Sequence, residues 1–423
     1  MTTRRMAALH AWLQVRPILA ALRRHRVATA LIVLQVALTL AVVSNALFVV
    51  GTRIVHLSRP TGTDEAHLFV IKNDWIGHPD PAHVDAQMRA DLAVLRHLAG
   101  VRDAFASEAY PLEGGWGELV RIKLQVEQTT RPQLAIAYYA DQHALATYGN
   151  HLLAGRNFRA DDIGRLGPYD GARPAVVIIT RDLAYKLFAD VDAVGKRIYL
   201  SDDTPSTIIG VLDRLEGAYA GSTTRSIDED TVLLPARLAN PAGTVYLVRV
   251  QAGQLAAVVR AAPAALLAQS RRRVIDPDDG LQTLSQARAK GYATDRGVAI
   301  MMGALCALML MATAGGIVGL SSFWVSQRRR QIGVRRALGA TRGDILRYFQ
   351  IENFLIVGSG IVLGVLLAVA ANLSLMRYWE LPRLPLGMLS VAALVLWLLG
   401  QLAVLGPACR AAAVPPVQAT RSV

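Results

Sequence analysis

Four long apolar stretches interrupt this chain, at residues 28–50, 298–323, 354–371 and 388–405. A helix needs about 20 apolar residues to cross a bilayer, and each stretch is near that length. Residues 51–296 contain no stretch of this kind. The pattern predicts a membrane α-helical protein with four transmembrane helices and a large mixed α/β extracytoplasmic domain between helices 1 and 2.

Shorter periodic patterns fill residues 51–296. Alternation with period 2 predicts strands at 67–72, 101–106, 120–126, 175–179, 206–212, 244–250 and 274–275. Helical spacing predicts helices at 82–99, 181–188 and 255–269. These elements form two βαβ-like halves, at about 60–133 and 214–280, on either side of a middle lobe at about 134–213.

Basic residues set the expected orientation. Seven arginines crowd between the second and third apolar stretches: Arg328, Arg329, Arg330, Arg335, Arg336, Arg342 and Arg347. The positive-inside rule therefore places loop 324–353 and the tail 406–423 in the cytoplasm, with residues 51–296 outside it. The net charge of +13 is concentrated beside the apolar stretches, so we exclude nucleic acid as a partner.

Residues 1–27 precede the first span, and apolar positions among their arginines predict a cytoplasmic interfacial helix on membrane lipid. The first span has the length of an uncleaved signal anchor rather than of a cleaved signal peptide. Residues 281–296 have few helix breakers and run directly into the second span. We expect them to form a stalk that continues that helix outward.

The loop between the second and third spans has an ordered pattern of its own. Ile332, Val334 and Leu338 alternate with charged residues, and Gly339-Ala340 interrupts the helical register. This pattern is typical of a bent amphipathic helix that lies on another surface. The spacing alone fits either lipid or a soluble partner.

The run RRRQIGVRRALGATRGDI at 328–345 resembles the cytoplasmic loop of FtsX-like and MacB-like ABC transporter permeases. The resemblance implies a coupling helix that docks on an ABC ATPase subunit. The residues that would make this contact are Ile332, Gly333, Arg335, Arg336, Ala337, Leu338, Gly339 and Ala340. Gln331 departs from the pattern, because the family usually carries glutamate there.

The likeness extends over essentially the whole chain. LLAGRNFRADD at 152–162, TRDLAYKLFADVDAVGKRIYL at 180–200 and STIIGVLD at 206–213 are similar, in order and spacing, to the periplasmic core domain of MacB-like permeases. The resemblance implies that 51–296 is that core domain, with porter-like flanking halves, and that 298–423 is an FtsX-like permease domain. It also places the chain in a bacterial inner membrane.

Glycines at GxxxG spacing occur in two spans, Gly315 with Gly319 and Gly360 with Gly364. This spacing favours close packing of helices. Since an ABC ATPase acts as a symmetric pair, we expect a second permease chain in contact with this one, either identical or different. Trp116 lies in the glycine-rich sequence PLEGGWGEL, where it is either a periplasmic contact or a cap on the local core.

Residues for chemistry are not arranged in any recognised pattern. The segment GKR at 195–197 lacks both the glycine five residues earlier and the hydroxyl residue afterwards that a P-loop needs. The acidic clusters at 161–162, 202–203, 228–230 and 276–279 lack EF-hand spacing, so we expect solvated turns. Neither a catalytic residue nor a metal site is predicted, and no cofactor in this chain, since ATP and magnesium would bind to the partner ATPase.

The function that the resemblance implies is that of a permease subunit in a MacB-type ABC transporter, not an enzyme. It would couple ATP hydrolysis by a separate ATPase dimer to movement of the periplasmic domain, and so export a substrate from the periplasm or outer leaflet. A periplasmic adaptor and an outer-membrane channel are further expected partners. Two alternatives stay open: an FtsX-like or LolCE-like mechanotransmitter acting on a cell-wall hydrolase or on lipoproteins, and a membrane-anchored sensor.

Overall fold

A computed structural model describes residues 26–77, 79–113, 117–167, 170–171, 174–189, 192–200, 204–218, 227–379 and 385–413. The chain divides into two compact units. Residues 58–295 form the first, called here the insert unit, and the residues on either side of it form the membrane unit. The expected interfacial helix at 1–27 lies outside the described residues, except for Arg26 and Val27.

The helices are α1 (Arg26–Leu57), α2 (Pro81–His97), α3 (Ala144–Tyr148), α4 (Arg181–Phe188), α5 (Leu255–Gln269), α6 (Leu284–Gly291), α7 (Ala293–Gln327), α8 (Arg329–Ala337), α9 (Arg342–Trp379) and α10 (Leu386–Ala412). The strands are β1 (Leu68–Trp75), β2 (Val101–Ser107), β3 (Glu118–Lys123), β4 (Gln133–Ala140), β5 (Leu152–Gly155), β6 (Gly164–Leu166), β7 (Val176–Thr180), β8 (Arg197–Leu200), β9 (Pro205–Leu212), β10 (Thr231–Leu238), β11 (Gly243–Val250), β12 (Arg273–Val274) and β13 (Leu281–Thr283).

The membrane unit contains four helices that are long and apolar enough to cross a bilayer, α1, α7, α9 and α10. They confirm the four predicted spans and extend beyond them, because polar residues continue each helix past its apolar stretch. Short polar side chains join the helices inside the unit. The Thr39 and Thr313 hydroxyls lie 2.8 Å apart, and Asn353 Nδ2 donates to the Gly400 carbonyl oxygen at 2.8 Å.

One sheet of the insert unit has the strand order β12-β1-β11-β2, with β13 also paired to β1. All of its pairs are antiparallel. Inward residues of β1 and β11, such as Phe69 and Tyr246, pack with Met88 and Leu92 of α2 and Leu266 of α5. Helices α2 and α5, one from each predicted flanking half, therefore pack on this sheet and share a single core with it.

The second group of strands closes on itself. Strand β4 pairs with β3 and β10, and the circuit continues through β8, β9 and β7, while β5 and β6 are attached to β9 and β10. Alternate residues of β4 enter two different cores. Ile136 and Tyr138 belong to the core that includes Leu68 and Phe105 of the first sheet, whereas Ala137 faces the opposite core.

The strand pairing corrects the predicted boundaries within residues 51–296. Strands β3 and β10, which we placed in the flanking halves, belong to the closed circuit of the middle lobe. The reason is that β3 pairs antiparallel with the adjacent β4, and β10 lies parallel to the same strand. The middle lobe is correspondingly larger than 134–213.

The prediction of one continuous stalk helix at 281–296 is also wrong. Residues Leu281–Thr283 form β13 and pair with β1. Helix α6 begins after them, with a capping box between Thr283 and Gln286, and ends before Tyr292. Helix α7 starts only at Ala293, so the segment consists of a strand and two successive helices.

The acidic cluster 228–230 is not a solvated turn as predicted, since Asp228 and Asp230 are buried. Asp230 accepts hydrogen bonds from Lys186 Nζ at 2.7 Å and Gln133 Nε2 at 2.9 Å, which compensates its burial. The cluster 276–279 does form an exposed turn, in which Asp276 accepts from the backbone N–H groups of Asp278 and Asp279. Within the described residues, no group of three potential metal ligands comes together.

Candidate functional site in the loop between the second and third spans

The loop between α7 and α9 contains a short helix with bends on both sides. Helix α8 covers Arg329–Ala337, and Arg328 leaves the helical conformation between α7 and α8. At the other end, Gly339 has a φ of +97°, which is the left-handed region that glycine adopts without strain. Thr341 and Asp344 then begin α9 with mutual hydrogen bonds. The predicted bent helix is present.

One face of α8 packs inside the membrane unit. Ile332 and Gly333 are buried. Ile332 belongs to a core with Val325 of α7, Phe349 of α9 and Ala408 of α10. Because residues of three spans form this core, a displacement of α8 would shift the ends of all three.

Two large apolar side chains, Val334 of α8 and Leu338 directly after it, are uncovered. The side chain of Leu338 is 82% exposed and that of Val334 is 46% exposed. Exposing leucine to water costs free energy, since burial of such a side chain is worth about 1.5–3 kcal/mol. We name Val334 and Leu338 together the open face of the loop.

The arginines fix the helix in place as well as supplying charge. Arg328 Nη1 lies 3.1 Å from both carboxylate oxygens of Glu352 on α9. The Arg335 guanidinium lies over the Tyr348 ring, 4.9 Å from its centroid, and Arg336 Nη1 donates to the Ala412 carbonyl oxygen at 3.1 Å. These contacts tie α8 to α9 and α10.

The structure separates the eight predicted contact residues. Ile332 and Gly333 face the membrane unit, Arg335, Ala337, Leu338 and Gly339 are exposed, and Arg336 and Ala340 are half-buried. The exposed residues join Val334, which the sequence pattern contained but which we did not select. Gln331 is exposed as well.

Sequence reasoning missed Glu352. This carboxylate is 2% exposed and holds Arg328 at the junction of α7 and α8. A sequence signal existed, because Glu352 is an isolated acidic residue at the edge of the third apolar stretch. Acidic residues in such positions are costly unless a partner satisfies them.

The predicted packing glycines behave in two ways. A Cβ at Gly360 would lie 2.7 Å from Val36 Cβ, and one at Gly364 would lie 2.9 Å from the Ala37 carbonyl oxygen, so both glycines let α9 approach α1 closely. For Gly315 and Gly319 of α7, no described atom lies within 4 Å of such a Cβ. Trp116 lies outside the described residues.

Four helices long and apolar enough to cross a membrane, with a large α/β insert after the first, define a multi-pass membrane protein. Two family models match the chain, the MacB-like periplasmic core domain over residues 29–276 and the FtsX-like permease C-terminal domain over residues 303–416. The first of these matches covers more than half of the sequence. The chain therefore belongs to the MacB-like permease family.

Curated relatives carry names that combine ATP binding with a permease. The macrolide export ATP-binding/permease protein MacB 1/2 of Paracoccus denitrificans is 26% identical over 90% of this chain and 54% of its own length. MacB of Chromobacterium violaceum is 25% identical, over 64% of this chain and 41% of its own length. The pyoverdine export ATP-binding/permease protein PvdT of Pseudomonas syringae pv. tomato is 28% identical over 48% and 31%. The chain thus spans about half or less of these relatives.

The periplasmic region of MacB from Actinobacillus actinomycetemcomitans is a structural neighbour at 12% identity. It matches 56% of this chain and 97% of that chain, with a TM-score of 0.34.

Proposed function

We propose that this chain is the permease subunit of a MacB-type ABC transporter in a bacterial inner membrane. A separate ATPase subunit, which holds ATP and magnesium, docks on the open face, and its closure moves the insert unit to export a substrate. The observation that carries the proposal is the division of α8 into a face packed against three spans and a face that exposes Leu338.

The contacts of α8 support transmission of force. The Arg328–Glu352 pair and the Arg336 bond connect α8 to α9 and α10 at opposite ends of the helix. The shared core around Ile332 and Phe349 is apolar and close-packed, and such cores are stiff. A push on Leu338 would therefore displace the ends of the spans rather than the loop alone.

The names of the relatives support export as the activity but do not specify one class of cargo. Their names specify export of a macrolide or of pyoverdine, and we take export as the common activity. The orientation with both termini in the cytoplasm follows from the arginines of the loop and belongs to the same proposal. A periplasmic adaptor and an outer-membrane channel are proposed as further partners.

A second permease chain is proposed against α7. In the most apolar window of α7, 11% of residues are buried within the described chain, against 28–39% in the other three spans. The uncovered glycines Gly315 and Gly319 lie on this helix and would admit another helix at close range. A pair of permease chains also matches the two-fold symmetry of an ATPase pair.

The test is purification of the chain with its associated proteins in mild detergent, followed by an assay of ATP hydrolysis and of export in cells. We expect an ATP-binding subunit to co-purify in stoichiometric amount, with vanadate-sensitive turnover. Leu338→Asp should abolish export while expression is unchanged, since a charge on the open face disrupts an apolar contact. Leu386→Asp, which changes another exposed leucine at the start of α10, is the matched control. Normal export by Leu338→Asp would overturn the docking proposal.

A further inference from the structure

The chain enters and leaves the insert unit through two segments that lie side by side. We name residues 59–65 the entry segment and helix α6 the exit helix. The Arg288 guanidinium of the exit helix donates to the Glu65 carboxylate and to the Arg59 carbonyl oxygen. Ser285 Oγ donates to the Glu65 carbonyl oxygen at 3.3 Å, and Leu284 of the same helix is buried.

Glu216 contacts both segments from beneath. Its backbone N–H donates to the Thr61 carbonyl oxygen of the entry segment at 2.9 Å. Its side-chain Oε1 accepts from the Tyr292 hydroxyl at 3.3 Å, immediately after the exit helix. Glu216 is 1% exposed, and none of the described residues forms a hydrogen bond with its Oε2.

The groups that face Glu216 include two carboxylates and one guanidinium. They are Asp228 and Glu229 before β10, Arg59 of the entry segment, Tyr138 of β4, whose hydroxyl donates to the Glu216 carbonyl oxygen, and Tyr292. Burial, followed by the charges of Asp228 and Glu229, raises the pKa of the Glu216 carboxyl to about 7. The hydrogen bond from Tyr292 and the charge of Arg59 act in the opposite direction and are outweighed.

The two protonation states of Glu216 have different consequences. A neutral carboxyl in this site needs few partners and is compatible with Asp228 nearby. An ionised carboxyl is poorly solvated there and is repelled by the neighbouring carboxylates, so its stabilisation requires water to enter. Movement of the exit helix at its Tyr292 end, which contacts the carboxyl directly, would admit that water.

We propose that Glu216 is a proton-sensitive latch, which holds the exit helix on the insert unit when its carboxyl is protonated and releases it when the carboxyl ionises. The exit helix directly precedes span α7 in the sequence, so the latch controls the segment through which the chain leaves the insert unit. The pH of the compartment around the insert unit thereby controls a mechanical connection.

Hydrogen–deuterium exchange of the full chain in detergent tests the latch. We would measure amide protection in peptides covering 284–292 at pH 6 and pH 8, corrected for the intrinsic pH dependence of exchange. Opening that exposes Glu216 to its ordinary pKa should become about tenfold more favourable at pH 8 than at pH 6. Glu216→Gln cannot ionise, so its protection should be the same at both pH values.

Two further variants keep the result interpretable. In Tyr292→Phe the carboxyl still titrates but loses its donor, so protection should fall at both pH values with the pH dependence retained. Burial also raises the pKa of Glu113 to about 7, so Glu113→Gln is a control that titrates in the same range. The proposal is overturned if Glu216→Gln keeps the tenfold change or if Glu113→Gln removes it. No ATPase is needed, so failure here leaves the coupling proposal intact.

Discussion

The insert unit and the membrane unit place their polar groups and their apolar surface differently. In the insert unit, Arg273 and Asp91 form a fully buried pair, with 2.8 Å between Nη2 and Oδ1. The Tyr246 hydroxyl donates to Asp91 Oδ2, and Arg273 Nη1 donates to Asn73 Oδ1. In the membrane unit, by contrast, many leucines are exposed, and hydroxyl and amide bonds join the spans, with the Arg328–Glu352 pair at the junction of α7 and α8. The stability of the insert unit depends on buried polar groups that have hydrogen-bond partners, whereas that of the membrane unit depends on close packing of helices.

Breaking the buried Arg273–Asp91 pair of the insert unit should cost the most stability. Asp91→Ala leaves the Arg273 guanidinium buried without its carboxylate, and loss of one partner in such a pair costs about 3–5 kcal/mol. Denaturant unfolding of the full chain in detergent measures the change. Arg181 and Asp213 form an exposed pair at 2.8 Å, so Asp213→Ala should cost at most about 1 kcal/mol. Equal losses in the two variants would contradict the distinction between the pairs.

The second prediction compares the stability lost when alanine replaces a buried or an exposed apolar side chain of the loop. Ile332→Ala removes a side chain from the core with Phe349 and Ala408, which should cost about 2–3 kcal/mol of membrane-unit stability. Leu338→Ala changes an exposed side chain and should leave the melting temperature nearly unchanged. Thermal unfolding in detergent gives both values. A drop for Leu338→Ala as large as that for Ile332→Ala would show that the open face is covered within the chain.

A smaller effect distinguishes the two glycine pairs. Gly364→Leu would force side-chain atoms against Ala37 and Leu40 of α1, and such overpacking costs about 1–3 kcal/mol. A Cβ at Gly319 has no described atom within 4 Å, so Gly319→Leu should keep the fold while weakening association of two permease chains. Thermal unfolding reports the first change, and cysteine crosslinking along α7 reports the second. Undiminished crosslinking in Gly319→Leu would argue against α7 as the contact.

The smallest effect concerns the turn after α8. Gly339→Ala places a Cβ in open space, so its cost is only that of the left-handed backbone, about 1 kcal/mol. Export in cells should fall slightly, because Leu338 would be held less precisely. A loss of export as complete as that expected for Leu338→Asp would mean that the glycine itself touches a partner.

The sequence predicts the spans well, because 18 or more apolar residues in succession have few alternative structures. It places their ends less well. Helix α9 begins at Arg342, well before the apolar stretch at 354, since Thr341 and Asp344 cap a polar first turn that no hydropathy pattern detects.

Long-range pairing could not be predicted from local pattern. Periodicity identifies β3 as a strand and does not identify β10, and only the tertiary structure places both beside β4. The same holds for the burial of Asp228, Asp230 and Glu216, which acidic composition alone assigns to solvent. In the loop, the motif predicts a set of contact residues, whereas the division between Ile332 inside and Leu338 outside depends on the packing of α8.

Photocrosslinking in cells tests whether the open face docks on an ATP-binding subunit. A photoreactive amino acid would replace Leu338, or Leu386 as the matched exposed control, and mass spectrometry would identify the adducts. We expect an adduct with an ATP-binding subunit from position 338 and none from position 386. Adducts from position 338 with lipid alone, or identical adducts from both positions, would contradict it.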